Sequence, residues 1–185
     1  QIMSNFWTSP TFEPKRAFRF LVEFTPGNGA ESLQFLAKSV SRPSYTVTSN
    51  PHKFFNHTFH YPGRVEWGNI TLTLVDALQP NAADLLYRHL STIGYQNPTS
   101  LGEAIRTTIT KKTATDAFST FRIDEKGTND DGTTKDVGSW KLQNAFITEV
   151  NFGDHSYDSE DMIDIQLTIQ YDWAQYHVGP YVAAG

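Results

Sequence analysis

The chain has 185 residues, a net charge of −5 at pH 7, no cysteine, and an aromatic content of 14% in which phenylalanine predominates. The absence of cysteine excludes disulfides, thiolate metal sites and thiol nucleophiles. A chain of this length can bury a core without disulfide or metal cross-links. The negative charge argues against tight nucleic-acid binding, because that binding relies on Lys and Arg side chains that neutralise phosphates.

Two features of the chain indicate a soluble protein of the cell interior. No apolar run approaches the roughly 18 residues that span a bilayer, and the start QIMSNFWTSP lacks the basic and apolar regions of a signal peptide. Met3 leaves open whether Gln1 and Ile2 belong to the native chain. Residues 1–16 are expected to form an N-terminal arm of a single domain that covers residues 1–185.

The first apolar segments alternate with the period of β-strands. Residues 17–24 place apolar side chains on one face, and the turn residues 26–29 predict a reversal into a return strand at residues 33–40. Pro43 cannot donate a hydrogen bond to a neighbouring strand, so the pairing is expected to stop there.

A second hairpin is predicted further along the chain. Residues 45–53 indicate an extended polar segment, after which residues 54–61 and 67–76 form two strands joined by a turn at Pro62 and Gly63. The inward positions of the second strand are Ile70, Leu72 and Leu74.

One helix interrupts the strands. Asn81 is a good N-cap, Asp84 lies in the first turn, and Gly94 follows the last helical position, so the pattern predicts a helix over residues 81–94. Residues 100–103 have the spacing of a capping box and favour a short second helix, which Gly102 and the threonine-rich run after it weaken.

The C-terminal half returns to strands. Residues 118–125 predict a strand, residues 126–138 an exposed loop, and residues 139–152 and 163–173 the last two strands, joined by an acidic connector. Residues 174–185 are expected to form a tail. The whole pattern is mainly β, and indicates an antiparallel β-sandwich or barrel of about seven strands with one flanking α-helix.

Apolar and polar residues alternate at every position of the last predicted strand, residues 163–173. Its polar face carries Asp164, Gln166, Thr168, Gln170 and Asp172. Proteins usually protect a free strand edge with Lys, Pro or a bulge, and residues 163–173 contain no Lys, Arg or Pro. The sequence therefore predicts that this strand meets a partner.

The search for catalytic or metal-binding residues returns none. His57 and His60 are three positions apart on a predicted strand and so face opposite sides, and the NDDG segment at residues 129–132 lacks the ligands of a calcium loop. The acidic residues of the connector are expected to be solvated, since connectors lie on the surface. We therefore expect no cofactor, no bound metal and no enzymatic activity.

The order of the segments resembles the tail tube protein of contractile-tailed bacteriophages over residues 18–173. The features that carry the resemblance are Lys38 followed by Pro43, the segment HTFHYPGR ahead of WGNITLTLVD, and the final alternating strand with Tyr171 and Trp173. None of them is a catalytic signature, so the resemblance depends on order and spacing together.

The resemblance implies a structural virion protein. Six copies form a ring, and stacked rings make a hollow tube for genome delivery inside a contractile sheath. The implied partners are further copies of the chain, the tail sheath protein, the baseplate tube-initiator and tail-terminator proteins, and, in the lumen, the tape measure protein and DNA, without a membrane. The implied location is the virion tail, assembled in the cytoplasm of the host bacterium.

Two groups of residues are candidates for the functional surfaces. Contacts between rings or subunits are expected at Tyr45, Thr46, Val47, Thr48, Pro51, Phe54, Tyr61, Pro62 and Arg64. The polar face of the last strand, Asp164, Gln166, Thr168, Gln170 and Asp172, is expected to line the lumen, since a wall short of positive charge would not bind passing DNA.

Two alternatives stay open. A tube initiator or terminator would share the fold but form one ring instead of many. In a different class, a β-sandwich that binds carbohydrate would use Trp67, Trp140 and Tyr171 as stacking platforms, which requires exposed and coplanar rings.

Overall fold

The computed structural model describes residues 15–26, 37–79, 81–95, 108–129, 132–158 and 161–179. These residues form antiparallel strands with two short helices. In chain order the elements are β1 Phe20–Pro26, β2 Ala37–Val40, β3 Tyr45–Phe54, β4 His57–Trp67, β5 Ile70–Val75, α1 Ala82–Thr92, α2 Lys111–Asp116, β6 Phe118–Thr128, β7 Thr134–Gln143, β8 Phe146–Asn151, β9 Asp164–Gln170 and β10 Trp173–Val178. The mainly β, antiparallel class predicted from the sequence is confirmed, with more strands than the seven expected.

Two four-stranded sheets enclose the core. The first, called sheet A, has the order β1-β6-β7-β10, and the second, called sheet B, has the order β2-β5-β9-β8. Both contribute side chains to one hydrophobic cluster. β3 and β4 form a separate two-stranded sheet. The architecture is a β-sandwich from which one hairpin is set apart.

The core is densest where β5 and β9 pair. Ile70, Leu72 and Leu74 lie opposite Ile169, Leu167 and Ile165, and each of the six is at most 1% exposed. Burying one such side chain contributes roughly 1.5–3 kcal/mol. The inward faces that alternation predicted for these two strands are therefore confirmed.

The prediction that the last strand needs an outside partner is wrong. β9 pairs with β5 on one side and β8 on the other, so it is a central strand with no free edge. A central strand needs no protective Lys or Pro, which explains their absence. The strand also ends earlier than predicted, because the chain turns at Asp172 and Trp173 begins β10 in the other sheet.

The two strands of the first predicted hairpin do not pair with each other in the structure. β1 pairs with β6 and β2 with β5, so the first two strands lie in different sheets. Alternation specifies which face of a strand is buried, but it does not identify the neighbouring strand. The turn predicted at residues 26–29 falls mostly on residues outside those described.

The second hairpin is shifted along the chain. Residues 45–54 are a strand, paired with β4 across a turn at Phe55 and Asn56. Pro62 and Gly63 do not turn the chain, since β4 continues to Trp67. The predicted extended polar segment is thus half of a hairpin, and the predicted partner strand β5 lies in sheet B instead.

The C-terminal half also differs from its predicted boundaries. The predicted loop at residues 126–138 contains the ends of β6 and β7, which pair as far as Thr128 and Thr134. The predicted strand at residues 139–152 divides at Asn144, whose φ is 54°. Part of the predicted tail is β10, which pairs with β7. These polar segments form strands because their neighbours supply hydrogen bonds, which composition alone does not reveal.

Helix α1 confirms the predicted helix and its cap. The Asn81 Oδ1 atom accepts a hydrogen bond of 2.9 Å from the Asp84 N–H, and Leu86 and His89 are buried. Gly94 follows with a φ of 107°, which glycine adopts readily. Helix α2 was missed in its threonine-rich sequence, where the Thr110 hydroxyl caps the helix. The segment 100–103 lies outside the described residues.

Within the described ranges, the helices are too short and too polar to cross a membrane.

Candidate functional site

The hairpin of β3 and β4, residues 45–67, is the most exposed element of the described chain; we call it the arm. None of its residues is buried. Seven large hydrophobic side chains along it are between 45% and 90% exposed: Tyr45, Val47, Phe54, Phe55, Phe59, Tyr61 and Val65. Soluble monomers rarely concentrate so much apolar surface in one place, so the arm is a candidate contact surface.

A bulge divides the arm into a base and a tip. Val47 pairs with Val65 and Ser49 with Pro62, so β4 has one more residue than β3 in this interval. The Thr48 Oγ1 atom accepts a hydrogen bond of 2.9 Å from the Arg64 N–H, and a Cβ atom on Gly63 would collide with the same hydroxyl. Glycine at position 63 therefore allows the bulge to close.

The bulge places the apolar side chains of base and tip on opposite faces of the arm. At the base, Tyr45, Val47 and Val65 share one face. Because β3 alternates without interruption, Phe54 lies on the other face, and the register places Phe59 and Tyr61 there with it. The arm thus presents one apolar face near the body of the molecule and a second, opposite one near its end.

The turn at the arm tip contains an unusual backbone conformation. Phe55 has a φ of 50° and is 90% exposed, and its ring lies 4.4 Å from that of Phe54. A bulky side chain in the left-handed region costs of order 1–2 kcal/mol, and glycine or asparagine normally occupies such positions. An exposed phenylalanine whose described ring contact is with its exposed chain neighbour Phe54 indicates a role in contacts with another molecule.

The arm base is attached to the sandwich by aromatic contacts. The Trp67 ring lies 6.0 Å from the ring of the buried Tyr171 and 5.5 Å from that of Tyr45. Trp67 is half-buried against the core. The base is thus fixed to the body, while the tip extends from it.

An ionic cluster lies near the start of the arm. The half-buried Glu125 carboxylate pairs with Lys15 and, at 2.7 Å, with Arg42, and it accepts a hydrogen bond from the Tyr176 hydroxyl. Burial raises the pKa of Glu125, but the bonds and charges of Lys15 and Arg42 outweigh it, so the pKa lies below its ordinary value. The cluster joins the segments before β1 and β3 to the end of the sandwich.

The outward face of sheet B is polar and mostly uncharged. Ser39, Thr73, Gln166 and Asn151 form one row across its four strands. Asp164 lies at one end, paired with Lys38 at 2.5 Å. The face presents mainly hydroxyl and amide groups, together with the exposed carboxylate of Glu149 opposite Thr168, and the charge of Asp164 is neutralised by Lys38.

The predicted lumen residues lie mostly on this face. Asp164, Gln166, Thr168 and Gln170 alternate with the buried residues of β9. Asp172 lies beyond β9, where it pairs with Lys111 at 2.6 Å and accepts a hydrogen bond from Asn144; these partners lower its pKa. The polar residues of the neighbouring strands were missed, because which strands lie beside β9 depends on the tertiary fold.

The outward face of sheet A is charged by comparison. Arg122 pairs with Glu23 at 2.5 Å and with Asp124 at 2.9 Å, and Lys126 pairs with Asp136. The two outward faces of the sandwich therefore differ in chemistry, one carrying ion pairs and the other mainly neutral polar groups.

All nine predicted contact residues lie on the arm, from Tyr45 to Arg64. The prediction omitted Phe55, Phe59 and Val65, which are among its exposed apolar residues. Phe55 and Phe59 fall in the predicted strand at residues 54–61, and Val65 falls between the two predicted strands of the second hairpin. The signal that distinguishes a core strand from a contact surface is exposure, which the sequence pattern does not contain.

The described residues do not assemble the alternative sites. No three His, Asp or Glu side chains among them lie close enough to hold a metal ion. Of the proposed aromatic platform, Tyr171 is buried, Trp67 is tilted 57° to it, and Trp140 packs at 4.8 Å against Tyr176. These rings do not form an exposed coplanar surface.

The fold is shared with chains of contractile injection particles, although no protein-family model and no curated protein matches the sequence. One such chain comes from the anti-feeding prophage baseplate, with a TM-score of 0.63, 15% identity, and coverage of 90% of this chain and 97% of that chain. A second comes from the sheath/tube terminator of the extracellular contractile injection system PVC, with a TM-score of 0.61, 20% identity, and coverage of 91% and 99%.

A third comes from the PVC sheath–tube complex in the extended state, with a TM-score of 0.57, 21% identity, and coverage of 89% and 92%. Similarity at these identities establishes the fold. It is the fold that the resemblance to contractile tail tubes implied.

Proposed function

We propose that this chain is the major tube subunit of a contractile tail, a structural protein without a catalytic role. Six copies form a ring, and the rings stack into a hollow conduit inside a sheath, as part of a virion tail or a related particle. The observation that carries the proposal is the arm, which exposes seven large hydrophobic side chains and in which no residue is buried.

The arm needs a partner for physical reasons. A two-stranded hairpin is marginally stable in water unless a third strand or a packed surface covers one face. The arm pairs only within itself among the strands of the described ranges. Contact with a neighbouring subunit would remove its apolar surface from water, at about 25 cal/mol for each Å² buried.

The two opposite apolar faces favour contact with two neighbours. The base face, with Tyr45, Val47 and Val65, is directed to one side, and the tip face, with Phe54 and Phe59, to the other. An arm held between two copies would bury both. We therefore assign the base to contacts within a ring and the tip to contacts with the next ring.

The outward face of sheet B is proposed to line the conduit. Its neutral rows, including Thr73 and Gln166, offer hydrogen bonds without the positive charge that would retain DNA. Sheath, baseplate tube-initiator, tail-terminator and tape measure proteins are the partners that a major tube subunit requires, and DNA would pass through transiently.

A terminator or initiator is the second candidate. The similarity to the PVC sheath/tube terminator, at a TM-score of 0.61, is comparable to that of the sheath–tube chain, at 0.57. The two functions differ in the number of rings, since a terminator forms one ring and a tube subunit forms many.

Electron microscopy of the purified protein over a range of concentrations, together with its mass by light scattering, tests the proposal. The key variant replaces residues 50–61 with Asn-Gly, which shortens the arm between the paired Ser49 and Pro62. The matched control replaces residues 129–133 with Asn-Gly, which shortens the β6–β7 hairpin instead.

We expect hexameric rings and tubes from the wild type and the control, and loss of tubes from the arm variant with its melting temperature retained. Single rings without tubes from the wild type would favour the terminator. A wild type that stays monomeric at all concentrations, or an arm variant that still forms tubes, would contradict the proposal.

A further inference from the structure

The open side of the sandwich contains a basic groove. It lies between β1 and β2, where the edges of the two sheets face each other, and has a volume of about 820 Å³. Phe18, which is 70% exposed, lies in it beside the half-buried Phe20 and Val40. We call this surface the groove.

The charge of the groove is predominantly positive. Its described lining includes one acidic residue, Glu125, and six basic ones: Lys15, Arg16, Arg19, Lys38, Arg42 and Lys126. Four of these cations already pair with carboxylates of the same chain, Lys15 and Arg42 with Glu125, Lys38 with Asp164 and Lys126 with Asp136. The exposed Arg16 beside the exposed Phe18 favours an acidic partner that also supplies apolar side chains.

The same chain carries such a segment after β8, which we call the connector, residues 152–158. Asp154 and Asp158 lie in it, and it contains no Lys or Arg. Phe152 is 40% exposed, and Tyr157 extends fully into solvent. Tyrosine and phenylalanine are frequent anchors in protein interfaces, so the connector has the chemistry that the groove would recognise.

The groove and the connector lie on opposite edges of sheet B, at the same position along its strands. The pairings join Ser39 of β2, through Thr73 and Gln166, to Asn151 of β8. Ser39 lines the groove, and Phe152 directly follows Asn151. One cross-strand row therefore ends at the groove on one edge and at the connector on the other.

This placement is what a closed ring requires. Copies related by rotation alone meet through two different surfaces, and these must lie on opposite sides of one chain without an axial offset. The groove and the connector lie on opposite edges of sheet B, and the row from Ser39 to Asn151 gives them no offset along the strands. Association along these edges would also cover the outer edges of β2 and β8, which pair with no further strand among the described residues.

We infer that the connector of one copy docks in the groove of the next copy of this chain, and that this contact closes the ring. The inference rests on the proposed function, and it specifies the subunit contact that the arm alone does not. Tyr157 and Phe152 pack against Phe18, and the connector carboxylates face the basic rim.

Site-specific cross-linking tests this contact, because the chain contains no cysteine. An Ala17→Cys, Ser156→Cys double variant, which keeps Phe18 and Tyr157, is assembled and treated with a short bismaleimide. We expect a ladder of covalent oligomers that ends at the ring size, while a mixture of the two single variants gives dimers only. The matched control pairs Ser156→Cys with Lys135→Cys, an exposed position on the β6–β7 hairpin, and no ladder is expected.

Charge reversal supplies a second readout. Arg16→Glu or Asp158→Arg alone is expected to raise the concentration needed for ring formation by about tenfold, and the double variant to restore most of the loss. Each variant should melt like the wild type.

Three results would decide against the inference. Rings that form without the Ala17–Ser156 ladder, or a cross-link confined within one chain, would overturn this contact and leave the proposed function intact. A wild type that never forms rings would overturn the proposed function and this contact with it.

Discussion

Phe55 occupies a position that glycine or asparagine would fill at lower energy. Its φ of 50° and its 90% exposure mean that the folded chain gains little from the phenyl ring. Strained residues of this kind persist where another requirement outweighs stability. At the arm tip, the requirement that we propose is contact with a second copy.

Replacing Phe55 with Gly separates these two roles. Relief of the backbone strain and the larger unfolded-state entropy of glycine nearly cancel, so we expect the free energy of unfolding to change by less than about 1 kcal/mol. Tube formation should need about a tenfold higher concentration, since an exposed aromatic anchor is lost. Phe55→Asn, which tolerates the same φ, is the control for backbone effects. A variant that unfolds like the wild type and assembles equally well would contradict the assigned role of the tip.

His89 is a buried titratable group on α1. Burial lowers the pKa of its imidazole below the ordinary value of 6.5, and its ring lies 6.1 Å from Phe118. The unfolded chain therefore binds a proton at a higher pH than the folded chain. The free energy of unfolding should be fully retained above about pH 6.5, and should fall as the pH drops from there through the folded-state pKa.

Urea unfolding at a series of pH values between 7.5 and 5 measures this effect. We expect His89→Gln to flatten the decrease in unfolding free energy over that window. His155→Gln, which removes an imidazole from the exposed connector, is the matched control. Equal slopes for the wild type and His89→Gln would show that another group causes the acid sensitivity.

At the scale of elements, the bulge in β4 determines what the arm can contact. Without the extra residue between Val65 and Pro62, Phe59 and Tyr61 would share the base face, while Phe54 on β3 would stay on the opposite face. The additional residue thus brings the apolar side chains of the tip together on one face. The hydroxyl of Thr48 and the missing side chain of Gly63 hold this local arrangement.

Gly63→Ala is expected to weaken the arm without affecting the sandwich. The new methyl group collides with the Thr48 hydroxyl and displaces its hydrogen bond to the Arg64 N–H, which costs about 1–2 kcal/mol of local stability. Hydrogen exchange should show faster exchange of the arm amides, with the amides of β5 and β9 unchanged. Thr48→Ala in the same chain removes the collision and should recover part of the protection. Unchanged exchange in the single variant would rule out this account of the bulge.

At the scale of the whole molecule, the two outward faces of the sandwich would divide the tasks of a tube wall in the proposed assembly. Sheet B presents neutral rows, and sheet A presents ion pairs such as that between Arg122 and Glu23. With sheet B inward, DNA would meet hydroxyl and amide groups. The ion pairs of sheet A would then be available to the surrounding partner.

Labelling of single cysteines tests this orientation. In assembled tubes, a cysteine replacing Gln166 should be protected from a bulky maleimide reagent but react with a small one. A cysteine replacing Lys135, on the exposed β6–β7 hairpin, should react with both. Both variants should react fully after dissociation. Equal reactivity of the two positions towards the bulky reagent in intact tubes would place sheet B on the outside.

The sequence by itself determined the local features of this protein. Alternation identified the buried faces of β5 and β9, and the Asn81 cap located α1, because both depend on residues close together in the chain. These features sufficed for the mainly β class, and with the order of segments they led to the tube-like fold.

Only the tertiary structure decided which strands are neighbours and which faces are exposed. Residues 54–61 alternate as a core strand does, yet they lie on the arm, since alternation is the same whether the apolar face meets the core or another molecule. The unprotected strand β9 proved to be central, because strand pairing joins residues distant in the chain. Phe18 in the groove and Tyr157 in the connector are more than 100 residues apart in the chain. Strand pairing alone places the groove and the connector at opposite edges of sheet B.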